Sequence, residues 1–192
     1  GIGVLHPLAN IHHSRIKSGD HIILSGPMAT HGIAIMSQRK GLEFETTIES
    51  DTRNLNHIVK KILDKAGDQV RFFRDPTRGG VATVMNELAG QTKMGIDLIQ
   101  KNIPVDEQVE GACEMLGLDP LYVANEGLFI AIVDPAVSSQ VISLIQQEEY
   151  GKEAAMIGTV TTDHPGQVVL SSKVGGKRVV NYLTGEQLPR IC

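Results

Sequence analysis

The chain has 192 residues, with 18 Lys+Arg against 22 Asp+Glu for a formal net charge of −4; 41% of it is hydrophobic and 21% charged. That balance suits one large or two small globular domains and excludes a disordered chain, which needs few apolar residues and a high net charge. The longest apolar run, Leu128–Val133, is six residues where a transmembrane helix needs roughly 20, and mild acidity with 4% aromatics argues against a nucleic-acid face.

In chain order, Ser18-Gly19-Asp20 reads as a turn and His21–Ser25 as a buried strand ended by Gly26-Pro27. A short helix is predicted from Thr30 to about Arg39, stopped by Gly41. The strongest helical pattern runs from Asp51 to Ala66: Leu55, Ile58, Val59, Ile62 and Leu63 share one face, Ser50 or Asp51 can cap the start, and Gly67 fits a left-handed C-terminal residue. Val70–Phe73 follows as a strand, then the polar turn Asp75-Pro76-Thr77-Arg78-Gly79-Gly80 and a helix that buries Val81, Val84, Met85 and Leu88, with Gly90 as its stop.

Ile96–Ile99 is a short strand and Asp106–Leu116 a third amphipathic helix. The turn Ala124-Asn125-Glu126-Gly127 leads into the strand Leu128–Val133; Asp134-Pro135 then opens a helix to about Glu149, with Asp as N-cap and Pro at the first helical position. Met156–Val160, Val168–Ser172 and Lys177–Tyr182 read as strands of a meander, and Leu183–Cys192 as a tail without period. Helices mixed with a final run of strands point to an α+β fold with a mostly antiparallel sheet covered by helices. The organisation expected is 1–40 as the end of a preceding nucleotide-binding domain with its linking strand, 41–182 as an α/β domain, and 183–192 as a flexible tail.

Three places carry chemistry. In Asp75–Gly80 an acid, a hydroxyl, an arginine and two glycines meet where a strand hands over to a helix, a natural place for an anion. The plainer alternative is a capped turn, with Asp75 or Thr77 as cap. Asn125-Glu126-Gly127 puts a carboxylate at the mouth of an apolar strand, where it can act as a base or simply be solvated in a turn. Cys192 sits on the tail Leu188-Pro189-Arg190-Ile191-Cys192 as a reachable thiol. Its only companion, Cys113, is distant; neither CxxC nor zinc spacing occurs, and two thiols point to a reducing cytosol, hence a cytoplasmic protein. His12-His13, which in a strand would point to opposite faces, His6, His21 and His31 crowd the N-terminal stretch without acidic or thiol partners at metal-ligand spacing.

Taken together and in this order, Asp75-Pro76-Thr77-Arg78-Gly79-Gly80-Val81-Ala82-Thr83 leading into Asn86-Glu87-Leu88-Ala89, Asn125-Glu126-Gly127 before an apolar strand, and a final Pro189-Arg190-Ile191-Cys192 resemble the carbamoyl dehydratase family of hydrogenase maturation proteins, the HypE family. That family lies in the superfamily typified by aminoimidazole ribonucleotide synthetase and selenophosphate synthetase. The first motif is shared across the superfamily, whereas the terminus is specific to the HypE family. The resemblance covers essentially the whole chain. It implies that an N-terminal domain with a Gly/Asp-rich nucleotide site is missing, so the sequence looks like a C-terminal part.

The resemblance further implies that a carbamoyltransferase, HypF, loads the Cys192 thiol with a carbamoyl group. ATP-dependent dehydration then makes a thiocyanate, which passes to a HypC–HypD scaffold as the cyanide ligand of nickel–iron hydrogenase. Cys192 would be S-carbamoylated and then S-cyanated, and Glu126 would be the base. Asp75, Thr77, Arg78, Gly79, Gly80 and Asn125 would line the substrate and phosphate cleft, and Pro189, Arg190 and Ile191 would guide the tail. ATP and Mg²⁺ would bind mainly on the missing domain, with no metal held by this chain, and the full-length protein would be a homodimer contacting neither nucleic acid nor membrane. The part alone would not turn over. Two other readings stay open: another enzyme domain of the superfamily, in which a terminal cysteine has no task, or a non-catalytic docking domain.

Overall fold

The computed structural model describes residues 4–40 and 48–183. Seven strands form one sheet: β1 (His21–Leu24), β2 (Val70–Arg74), β3 (Gly95–Ile99), β4 (Ile130–Val133), β5 (Ala155–Thr161), β6 (Val168–Ser171) and β7 (Lys177–Val179). Their order is β2-β4-β1-β5-β3-β6-β7. Every pairing is antiparallel except β3 with β6, which is parallel. Among the described residues five α-helices accompany them: α1 (Thr30–Lys40), α2 (Asn56–Ala66), α3 (Gly80–Thr92), α4 (Glu107–Leu116) and α5 (Pro135–Gln146). The expected α+β architecture is what forms.

β4 is apolar along its length, and β1 is so after its half-buried first residue His21, because both faces are covered and the usual in–out alternation is absent. Ile22 and Leu24 of β1 join Ile130 and Ile132 of β4 in a core that includes Ile33 of α1, Met85 of α3 and Val109 of α4. Ile23, Ala131 and Val133 point the other way, into a second core with Ile58 and Ile62 of α2 and Val141 and Ile145 of α5. Register keeps these faces together, with Ile22 opposite Ile132 and Ile23 opposite Ala131.

Several expectations need correction. The three final strands are not a meander, because β3 lies between β5 and β6; only β6 and β7 form a hairpin. The parallel β3–β6 pair is a long-range choice that local turn signals do not carry. α2 begins at Asn56 rather than Asp51, and neither Ser50 nor Asp51 caps it: Leu55 holds the N-cap position without a side-chain bond. Gly67 has a positive φ of 53°, but its ψ of −129° is not left-handed helical. Gly90 does not stop α3, which runs on to Thr92 and ends at Lys93 in left-handed conformation; a helical glycine costs about 1 kcal/mol, less than burying Leu88 and Ala89 beside it returns. Nor are His12 and His13 in a strand. They flank the start of a 3-10 turn, with ring centroids 4.2 Å apart.

Asp134 caps α5 as expected, its carboxylate accepting from the Ala136 N–H, with Pro135 at the first helical position. The boundary drawn between residues 40 and 41 falls where the undescribed stretch begins. On its N-terminal side, β1 and α1 belong to the same sheet and core as the rest. Gly41 and the tail from residue 184 onward, including Pro189, Arg190, Ile191 and Cys192, lie outside the described residues. Among the described residues no helix is long and apolar enough to cross a membrane.

Candidate functional site

Four segments meet at one end of β1 and β4: the start of α1, residues 50–53, the 75–80 turn before α3, and the 121–127 turn before β4. Asn125 joins three of them. It is fully buried at 0% exposure. Its Oδ1 accepts from the Ala29 N–H at 2.7 Å, and its Nδ2 donates to the carbonyls of Pro76 and Val123, both at 2.9 Å. Its backbone N–H also donates to Pro76 O at 3.2 Å. The two motifs read separately from the sequence are therefore one structure. Asn125 does not line the cleft, as the family resemblance suggested; both amide protons are spent on holding its walls together.

The glycines serve the same closure. Gly79 and Gly80 take positive φ values of 67° and 60°, which glycine adopts without penalty. A Cβ on Gly80 would stand 2.5 Å from Leu121 O and 2.6 Å from Val123 O. What approaches Gly80 closely is thus the chain's own 121–123 backbone. On Gly127 a Cβ would meet the Asp51 carbonyl oxygen at 1.7 Å, so the 50–53 segment rests directly against the turn that carries Glu126. Asp51 is thus packed against this turn, four residues before the Leu55 N-cap of α2.

Glu126 is half-buried on that turn. It makes no ion pair or side-chain hydrogen bond among the described residues. Asp75 and Arg78 are exposed and Thr77 half-buried. Asp75 pairs with Arg74 at 3.7 Å, and Arg74 also reaches Glu87 at 3.4 Å; exposed pairs of this kind contribute little. Neither Asp75 nor Thr77 caps α3. Gly79 is its N-cap, without a side-chain bond, and Thr77 supplies only its carbonyl, to the Gly80 N–H at 3.0 Å. Arg78 makes no ion pair among the described residues.

Two residues that the sequence reading treated as incidental border this site. His31, in the first turn of α1, and Asp51 are each only 8% exposed. Burial pushes the Asp51 carboxyl above its ordinary 3.8, opposed by Arg53, by His31 and by the N–H groups of Asp51 and Gly127, which face the carboxylate without a well-formed hydrogen bond. Asp51 had looked like a helix cap and His31 like one of several scattered histidines; only the tertiary contact with Gly127 reveals them.

Cys113 is buried, and burial with nearby Asp119 and Glu110 lifts its thiol to about 11, so it is inert at neutral pH. Among the described residues no group of three or more His, Cys, Asp or Glu side chains is placed to hold a metal ion.

Comparison with known proteins fits this arrangement. The chain is 43% identical over 192 residues to the carbamoyl dehydratase HypE of Bradyrhizobium diazoefficiens, covering 100% of this chain and 56% of that one. It is 46% identical to the HypE of Cupriavidus necator, covering 54% of it. The chain thus spans about half the length of the curated relatives it matches. Among solved structures, a hydrogenase maturation protein HypE matches with a TM-score of 0.90 at 41% identity over 94% of this chain and 58% of that one. A HypE in complex with ATP and a HypE–HypF complex match at 0.89 each, with 41% and 36% identity, covering 94% of this chain and 55% and 58% of theirs. A thiamine monophosphate kinase from Aquifex aeolicus, 15% identical with a TM-score of 0.57 over 83% of this chain and 52% of that one, shares the fold alone. Residues 17–171 match the family described as AIR synthase related protein, C-terminal domain, and the chain belongs to that family.

Proposed function

We propose that this chain is the C-terminal part of an ATP-dependent carbamoyl dehydratase, with the Cys192 thiol as carrier and Glu126 as base. The supporting observation is the convergence at Asn125: it ties the Asp75–Gly80 turn to the turn presenting Glu126, a half-buried carboxylate that no cation or donor occupies among the described residues.

On this reading the thiol on Cys192 carries a carbamoyl group, –S–C(=O)–NH₂. Its carbonyl oxygen bonds to the terminal phosphorus of ATP as the bond to the ADP oxygen breaks, and an N–H proton leaves. The C–O bond then breaks, the oxygen departs as phosphate, the second N–H proton leaves, and –S–C≡N remains. A carboxylate in reach of that nitrogen takes the protons, and Glu126 fills this role. Arg78 and the start of α3 face developing phosphate charge. The complete protein would take its carbamoyl group from HypF, pass cyanide to a HypC–HypD scaffold for nickel–iron hydrogenase, and work in the cytoplasm as a homodimer. ATP and Mg²⁺ would sit mainly on the part not present, so residues 1–192 alone would not turn over.

The test uses the full-length protein with carbamoyl phosphate, ATP and the transferase, and weighs the C-terminal peptide. Cys192→Ser accepts no stable carbamoyl group, because a hydroxyl is a far poorer nucleophile than a thiol at neutral pH. Glu126→Gln is carbamoylated but stalls at the thiocarboxamide, slowed on the order of 10²–10⁴-fold. Normal thiocyanate formation by Glu126→Gln moves the base elsewhere, with Asp75 next; normal loading of Cys192→Ser overturns the whole reading.

A further inference from the structure

Beside the 124–127 turn, three buried polar atoms have no hydrogen-bond partner among the described residues: His31 Nε2 and both carboxylate oxygens of Asp51. An unpaired buried polar group costs about 1–3 kcal/mol and an unpaired carboxylate more. Such a cost, met at one place by two side chains from separate segments, marks a candidate functional pair.

The other side of the imidazole leads outward. His31 Nδ1 lies 2.8 Å from Ser50 Oγ and 3.4 Å from Thr52 Oγ1, and the two hydroxyls are 2.8 Å apart. Ser50 and Thr52 are both exposed. A hydroxyl donates and accepts at once, so an unbroken chain of exchangeable protons runs from the buried His31 ring to solvent.

Its inner end lies beside the turn that carries Glu126. The Asp51 carbonyl presses on Gly127, the next residue. α1, which carries His31, is fixed to the same turn through Ala29 N–H to Asn125 Oδ1 and Gly32 N–H to Ala124 O at 3.1 Å. The other charged and titratable groups at the pair are Arg53, whose Nε donates to Asp51 O at 2.6 Å and whose guanidinium lies 4.7 Å from the Tyr150 ring centre, and Glu149 and Tyr150, which line the same hollow as Asp51.

The dehydration proposed above removes two protons from one nitrogen, while one carboxylate holds one proton at a time. Because the unpaired atoms are covered, the species that reaches them most readily is a proton. We propose that Asp51 and His31 are a relay that takes the first proton from Glu126 and discharges it through Ser50 and Thr52, so that Glu126 is a carboxylate again for the second. The proton passes from the Glu126 carboxyl to the Asp51–His31 pair and from His31 Nδ1 through the hydroxyls to solvent; no bond between heavy atoms changes. These residues act through Glu126 and touch no substrate. The proposal rests on the reading of Glu126 as base.

In full-length protein loaded at Cys192, Asp51→Asn and His31→Gln should slow dehydration on the order of 10²-fold while loading proceeds at the wild-type rate. Added imidazole should restore the rate in proportion to its concentration, a response that a merely structural role would not give. The double variant should be no slower than the slower single, as members of one relay are non-additive. Should Asp51→Asn fail to fold, His31→Gln decides together with Ser50→Ala, which cuts the outward chain. Folded variants that dehydrate normally, or that are slow but indifferent to imidazole, overturn the relay. If Glu126→Gln is slow in the same assay, the relay alone has failed; if Glu126→Gln is normal, the base assignment has failed and the relay with it.

Discussion

Asn125 places a fully buried polar side chain beside the start of β4 and spends every donor it has on backbone carbonyls. Removing it leaves the Ala29 N–H and the carbonyls of Pro76 and Val123 buried with fewer partners, each worth about 1–3 kcal/mol. Asn125→Ala should therefore destabilise the fold by at least about 2 kcal/mol in urea denaturation. Asn125→Asp should be no better, because a carboxylate replaces two donors with an acceptor facing two carbonyls. A loss within about 0.5 kcal/mol would make Asn125 an ordinary turn residue. Asn125 was legible as important from its place beside Glu126, but not as a brace, since its partners stand 96, 49 and 2 positions away.

Where an element starts depends on local chemistry at one helix and on tertiary contact at another. α5 begins where Asp134-Pro135 says it should, since cap and fixed φ act within three residues. α2 does not: Asp51, the expected cap, packs against the Gly127 turn, and the helix starts at Asn56. Asp134 also ties its helix to the sheet: its Oδ2 lies 2.6 Å from an Arg71 terminal nitrogen, and Arg71 Nε lies 3.7 Å from Oδ2 of Asp20, a carboxylate only 2% exposed. Asp134→Asn keeps an acceptor for the Ala136 N–H, whereas Asp134→Ala loses it, so the alanine variant should be about 1 kcal/mol the less stable. Arg71→Met should cost most, about 3–5 kcal/mol, because it leaves Asp20 buried without its counter-charge. Equal stabilities of the three variants by urea denaturation would dismiss this account.

At the scale of the whole molecule, β1 lies in the interior of the sheet, hydrogen-bonded to β4 on one side and β5 on the other. The boundary at residues 40 and 41 and the sheet make opposite predictions for a chain beginning at residue 41. Without β1 the strands β4 and β5 lose their common partner, and Ile22, Ile23 and Leu24, each 0% exposed, leave both cores. We expect that chain to give no cooperative thermal transition, while the 192-residue chain melts in one. A sharp transition from residues 41–192 would make the N-terminal stretch a separable unit.

The sequence by itself determined the α+β class, the existence of the five α-helices and seven strands among the described residues, the cap of α5, and the two motifs at Asp75–Gly80 and Asn125–Gly127, because period, capping and turn chemistry act over a few residues. The tertiary structure decided the rest. It set β3 between β5 and β6, made Asn125 a brace and Gly80 and Gly127 points of backbone contact, and buried His31 beside Asp51 with three polar atoms unpaired. These are pairings between segments far apart in the chain, chosen by which packing buries the most apolar surface while satisfying the backbone, and a window along the sequence contains only one side of each.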